Sequence, residues 1–192
     1  MVPINICEEK LDHLTRTFGC DKGSLPFTYL GLPLGITKPK VDDFLPMINR
    51  CEKRFASVSA YLSQAGRLEL TNSVFSSLPT IYMCTLTLPP TVINIAYGGG
   101  QKQMTEKPPK VAWEMVMLPK KEGGLGVLDL RKQNEALLTN NLHKFYNKHD
   151  VPLVNLVSEK LYPNGKLPGN LMKGSFWWRG NLKILKDYKD LA

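Results

Sequence analysis

The chain has 192 residues, 43% of them hydrophobic, and its 25 Lys and Arg against 17 Asp and Glu leave a net charge of +8. That length holds one domain or two small ones, and that apolar share excludes a chain disordered throughout. No apolar run reaches the roughly 20 residues of a membrane-spanning helix. The cationic excess points to a polyanionic partner, most simply nucleic acid, with plain solubility as the alternative.

The start, Met1-Val2-Pro3-Ile4-Asn5-Ile6, meets charge too soon to be a signal peptide and reads as a short strand at Val2 to Ile6. Cys7, Cys20, Cys51 and Cys84 form no C-x-x-C pair and have no histidine at ligand spacing. This argues against structural zinc and for free thiols in a reducing compartment, intracellular in nucleus or cytoplasm. Leu11, Leu14 and Phe18 recur at helical spacing over Glu8 to Phe18, closed by Gly19 and Gly23. Phe27-Thr28-Tyr29-Leu30-Gly31-Leu32-Pro33-Leu34-Gly35 then reads as a short buried strand, a tight turn and a second extended piece.

Pro39 suits the first turn of the next helix, and Asp42 and Asp43 suit its positive N-terminal end. Val41, Phe44, Leu45, Ile48, Cys51, Phe55 and Val58 repeat at three- and four-residue steps, the clearest amphipathic helix in the chain. Its other face carries Asn49, Arg50, Lys53 and Arg54, either a solvated face or a stripe that follows phosphates. Ser63 is the expected N-cap of a helix through Ser77 that buries Leu68, Val74, Phe75 and Leu78. Gly66 in its first turn marks close packing or backbone approach. Pro79 allows a kink before Ile81-Tyr82-Met83-Cys84, and Pro89-Pro90 ends the unit.

From Tyr97 through Met104 no apolar period is visible, so residues 96–110 read as a flexible Gly- and Lys-rich loop and an internal boundary. Its Gly-Gly-Gly-x-Lys order lacks phosphate-loop spacing. Val111-Ala112-Trp113, Val116 and Leu118 form a short apolar segment, followed by the turn-rich Lys120 to Gly126. A strong helix is predicted from Asp129 to Lys148, with Leu137, Leu138, Leu142, Phe145 and Tyr146 on one face. Trp177-Trp178-Arg179 leads into a basic helical stretch from about Gly180 to Asp190.

Catalytic signatures are missing from this reading. Asp42-Asp43 follows Lys40-Val41 at a helix start, where a dipole role explains it. His13, His143 and His149 have no serine or carboxylate at matched spacing. No hydrolase elbow, H-E-x-x-H or dinucleotide fingerprint occurs.

The run Ser24 to Gly35, led by Phe27-Thr28-Tyr29-Leu30-Gly31, resembles the primer-grip segment of reverse transcriptases from plant LINE-type (non-LTR) retrotransposons. Phe44-Leu45-Pro46 and Leu62-Ser63-Gln64-Ala65-Gly66-Arg67-Leu68-Glu69-Leu70 resemble the thumb that follows it. Trp113 with Leu118 to Val127, then Asn134 to Leu138 and Gly174 to Trp178, resemble the post-thumb connector. Each piece is weak alone; the ordered set is specific.

The resemblance implies an RNA-directed DNA polymerase whose fingers, catalytic palm and downstream zinc-binding segment lie outside this chain. It implies no catalytic residue here and no cofactor, because the family's Mg2+ ions are held by aspartates of the palm. Phe27, Tyr29, Leu30 and Gly31 would meet the primer terminus, with plain core packing as the alternative for the first three. Arg50, Lys53, Arg54 and Arg67 are the implied phosphate contacts, and a local capping or pairing role for Arg67 stands beside that. Where the family continues as a basic, aromatic helix between Ile93 and Pro108, this chain has its glycine-rich stretch.

The expected fold is mainly α with a small β-hairpin. A palm-end hairpin segment covers 1–35, a thumb-like helical bundle 36–95, the loop 96–110 and an α-rich connector 111–192. The expected function is binding of primer–template duplex without polymerase activity. The alternatives are a non-functional relic and a host-adopted protein-interaction module. Sequence does not fix the oligomeric state.

Overall fold

The computed structural model of the chain describes residues 1–4, 6–59, 61–104, 112–163, 174–185 and 188. It is mainly helical with one two-stranded antiparallel hairpin, the predicted class. Helix α1 spans Glu8–Phe18 as expected and buries only Leu11. The strand predicted at Val2 to Ile6 does not form at the described residues of that stretch. Met1 instead spends its backbone groups on Asp21 and Gly23, accepting from the Gly23 N–H at 2.7 Å.

Strands β1 (Phe27–Tyr29) and β2 (Leu32–Leu34) pair with Phe27 opposite Leu34 and Tyr29 opposite Leu32. Both strands lie on the surface, not in the core. Tyr29 is 57% exposed and Leu30 in the turn 78%. Only Leu32 packs, half-buried, against the main core, and a two-stranded ribbon has no further strand or sheet to bury the rest, which explains the departure from the predicted burial.

Asp42 and Asp43 fall in the first turn of a short 3-10 segment, Val41–Phe44, so Pro39 stands just outside the helix instead of in its first turn. The segment runs into α2 (Leu45–Ser59), whose inner face is Met47, Ile48, Cys51 and Phe55 behind Phe44. Leu45 faces outward, against the predicted pattern, and the Val58 side chain lies outside the described set. Helix α3 (Gln64–Ser77) begins as its cap predicted, the Ser63 hydroxyl accepting from the Gly66 N–H at 3.3 Å. Val74 and Phe75 are buried, while Leu68 and Leu78 are half-buried. Thr71, which apolar counting passes over, is buried and returns its hydroxyl to the Arg67 carbonyl at 2.9 Å. A Cβ on Gly66 would stand 3.3 Å from the Leu62 side chain, so the close-packing reading of this glycine holds.

Helix α4 (Thr80–Thr85) follows Pro79 directly. The next element corrects the sequence reading: Pro89-Pro90 starts a helix instead of ending the unit. Helix α5 runs Pro90–Met104 through the glycines assigned to a loop. Proline is favoured at a first helical position because its missing N–H has no intrahelical partner there. Val92, Ile93, Ala96 and Tyr97 bury one face of the helix, which offsets the roughly 1 kcal/mol that each glycine costs. The remainder of the predicted loop, with Pro108, Pro109 and the adjoining Val111, lies outside the described residues.

Helices α6 (Trp113–Met117), α7 (Leu130–Tyr146), α8 (Pro152–Leu161) and α9 (Phe176–Lys183) complete the described fold. Asp129 caps α7, its carboxylate accepting from Arg131 N–H at 2.9 Å and Lys132 N–H at 3.3 Å. Helix α8 was not predicted. Helix α9 starts before the predicted Gly180, and Leu185 and Tyr188 beyond it are again helical, the Tyr188 N–H donating to the Ile184 carbonyl at 3.0 Å; residues 186–187 and 189–192 lie outside the described set.

The main core joins α2, α3, α4 and α5, with α2 packed chiefly on α5 and α4 on α7. It also takes in Val127, Leu130 and the half-buried Trp113, from beyond the boundary placed at 96–110. Tyr97 stacks on Trp113 with ring centroids 4.6 Å apart. The second core, Leu142, Phe145, Val154, Val157, Tyr162, Trp178 and Leu182, is built by the C-terminal half of α7 with α8 and α9. The two cores therefore divide within α7, between Leu137 and Leu142. Burial raises the Tyr97 hydroxyl to about 12 and the Cys51 thiol to about 11, so both groups stay neutral in the core.

Candidate nucleic-acid interface

The hairpin turn is built from an unusual pair. Leu30 has φ 51° and Gly31 φ 85°, the two positive values that a tight two-residue hairpin favours. Glycine adopts such a value freely, whereas leucine pays about 1–2 kcal/mol. Leu30 is therefore both strained and exposed, a combination that packing does not explain. Changing Leu30→Asn is expected to stabilise the chain by about 1 kcal/mol, because asparagine tolerates this conformation and creates an Asn-Gly turn. Chemical denaturation reads the effect, and a loss of stability would mean that the leucine side chain packs on the fold.

The turn is anchored from below. The Tyr82 hydroxyl of α4 donates to the Gly31 carbonyl. Tyr82 is buried and packs against Phe44 with ring centroids 6.0 Å apart. Burial raises its hydroxyl above the usual tyrosine range, and the Arg50 guanidinium partly offsets that rise. Arg50 also approaches the turn: a Cβ built on Gly31 would lie 4.0 Å from its Nη1. The structure thus places Gly31 beside Arg50, with Leu30 and Tyr29 next to it in the chain and exposed. Phe27 stands at the far end of β1, opposite Leu34.

Lys53 and Arg54 are exposed on α2, three and four residues beyond Arg50, and so share its side of the helix. These cations extend the hairpin edge into a positive strip. Arg67 belongs elsewhere. It is half-buried at the start of α3, and its Nε donates to the Leu62 carbonyl at 3.2 Å, the local role set beside the phosphate role above.

Sequence reading missed Tyr82 as the anchor of the turn. Its only signal was a tyrosine within an otherwise apolar quartet, since a buried hydroxyl needs a partner. At the Asp42-Asp43 pair, Asp43 Oδ2 accepts from the Lys40 N–H at 2.7 Å, a capping bond at the helix start. Among the described residues no group of three or more His, Cys, Asp or Glu gathers around a common point. These residues do not fit the Mg2+ ions of the polymerase family, and no step through a metal is assigned to them. His143 and His149 are exposed with rings 6.0 Å apart, and His143 lies beside the Asn147 amide. No helix among the described residues is long and apolar enough to cross a membrane.

No protein-family model matches the chain. It is similar to the Arabidopsis thaliana protein named "Putative ribonuclease H protein", at 32% identity over 158 residues that cover 76% of this chain. The chain spans 25% of the length of that relative.

Proposed function

We propose that the chain is the thumb and post-thumb connector of a plant LINE-type reverse transcriptase and that it binds primer–template duplex through the phosphate backbone. The observation that carries this reading is the strained, exposed Leu30-Gly31 turn beside Arg50, with Lys53 and Arg54 on the next turn of α2. Phosphate contacts of this kind position a duplex without reading its bases. The plant relative named for ribonuclease H supports the coarser form of the reading, a retroelement-associated protein concerned with nucleic acid. The thumb-like part is the α2 to α5 bundle, and the chain carries no polymerase chemistry of its own.

The test is titration of two fluorescent RNA–DNA hybrid duplexes of unrelated sequence, followed by anisotropy. The two affinities are expected to agree within about threefold and to fall steeply with salt. A strong preference for one sequence would contradict backbone recognition. Nucleotide incorporation by the purified chain with Mg2+ would contradict the absence of polymerase chemistry.

One observation favours a second reading. Phe27, Tyr29, Leu30, Leu34 and Ile36 are all exposed along one short segment, an apolar run of the kind that a partner surface covers. A host-adopted interaction module would use it for protein. Capture of a specific, nuclease-resistant partner that Tyr29→Ser and Leu30→Ser release would favour that reading over duplex binding.

A further inference from the structure

A cleft of about 460 Å3 lies between the 38–44 segment, the link at 86–87 and α9, apart from the hairpin edge. Lys38, Arg179 and Lys183 line it together with Phe176, Trp177 and Phe44, and no carboxylate is among its lining residues. All three cations are exposed, and Arg179 and Lys183 stand four residues apart on one side of α9. The volume is that of a small-molecule or single-residue site.

The aromatic part of the cleft is held in place. The Trp177 indole N–H donates to the Thr85 carbonyl at the end of α4. Asn181 Nδ2 donates to the Trp177 carbonyl at 3.0 Å, and Asn181 is itself buried. Helix α9 presses close on the link: a Cβ on Gly180 would lie 2.9 Å from Thr87 Oγ1. Fixed aromatic surface beside cations, with no carboxylate among the lining residues, is the combination that receives a base and its phosphates together.

We propose that this cleft takes a nucleotide of single-stranded nucleic acid. Its base would lie against Phe176 and Trp177, and its phosphates against Lys38, Arg179 and Lys183. The choice of nucleic acid over another polyanion rests on the function proposed above. The site itself is separate, because none of Phe27, Tyr29, Leu30, Gly31, Arg50, Lys53 or Arg54 lines it.

The test uses the whole chain, a short fluorescein-labelled oligothymidylate and a blunt DNA duplex. Two variants remove the same charge: Lys38, Arg179 and Lys183 to Gln in the cleft, and Arg50, Lys53 and Arg54 to Gln on α2. The cleft variant is expected to lose about tenfold or more in oligothymidylate affinity and little in duplex affinity. The α2 variant is expected to show the reverse. Lys183→Gln alone, on an exposed position, serves if the triple variant unfolds, with a loss of about threefold expected. Oligothymidylate binding that both triple variants weaken equally would overturn the cleft, leaving duplex binding intact as a reading. Oligothymidylate binding lost only in the cleft variant, with no duplex binding by the unaltered chain, would keep the cleft and sink the duplex reading. Binding of neither probe would overturn both.

Discussion

Replacing Asn134 by leucine is expected to destabilise the fold by about 3–5 kcal/mol. Asn134 is buried on α7 and makes three hydrogen bonds with one amide. Its Oδ1 accepts from the Leu88 N–H at 2.8 Å, and its Nδ2 donates to the Met83 carbonyl at 2.8 Å and the Leu86 carbonyl at 2.9 Å. The Met83 and Leu86 carbonyls belong to the C-terminal end of α4, where a helix runs out of internal donors. The Leu88 N–H belongs to the link that carries the chain from α4 into α5. One side chain therefore satisfies three backbone groups that water does not reach freely, and leucine of similar size satisfies none.

For a chain of this length the loss corresponds to a fall in Tm of about 6–20 °C. Asn134→Asp is expected to do no better, because a carboxylate keeps the Leu88 bond but turns an oxygen on two carbonyls. A thermal or urea melt reads both variants. A loss under about 1 kcal/mol for the leucine variant would mean that these backbone groups find other partners.

The second large effect is expected at Gly124, and its neighbour supplies the control. A Cβ on Gly124 would overlap the Leu118 carbonyl and come within 2.6 Å of the Leu118 side chain. That carbonyl is already engaged, accepting from the Gly126 N–H at 2.9 Å, while Val116 O accepts from Leu125 and Val127. The loop therefore has no slack on that side, and Gly124→Ala is expected to cost about 3 kcal/mol or more. Gly123 has φ 84° with open space around its Cβ position. Asparagine accepts that conformation, so Gly123→Asn is expected to cost well under about 1 kcal/mol. Equal losses for the two variants in denaturant titrations would contradict the steric account of Gly124.

Much of the bundle was legible because its signals are local. The apolar steps Phe44, Ile48, Cys51 and Phe55, the cap at Ser63 and the helix start at Asp129 are written in adjacent residues, and apart from the outward Leu45 they form as read. Helix α5 was hidden by punctuation. Its prolines and glycines read as a break, but the deciding fact is burial of Val92, Ile93, Ala96 and Tyr97 against distant elements. Helix α8 did carry a signal, Pro152 at its first position with Val154 and Val157 buried, but its short length kept it below notice.

The hairpin was legible as two strands and a turn, and its exposure was not, since apolar content alone does not say which side a ribbon turns to water. The hairpin residues, and the cations of α2, were named from sequence. That Arg50 and Tyr82 both reach Gly31 required the fold, because α2 and α4 are far apart in the chain. The cleft was invisible for the same reason: Lys38, Trp177 and Lys183 come from opposite ends of the sequence.

The most direct measurement is the salt dependence of duplex affinity for the chain and for its Arg50, Lys53 and Arg54 to Gln variant. If these side chains neutralise three phosphates, the slope of log affinity against log salt becomes shallower by about 2.7 in the variant. Affinity itself falls while the melting curve stays in place, because all three residues are exposed. Identical slopes for the two proteins would place the duplex somewhere else on the molecule and contradict the assignment of this face.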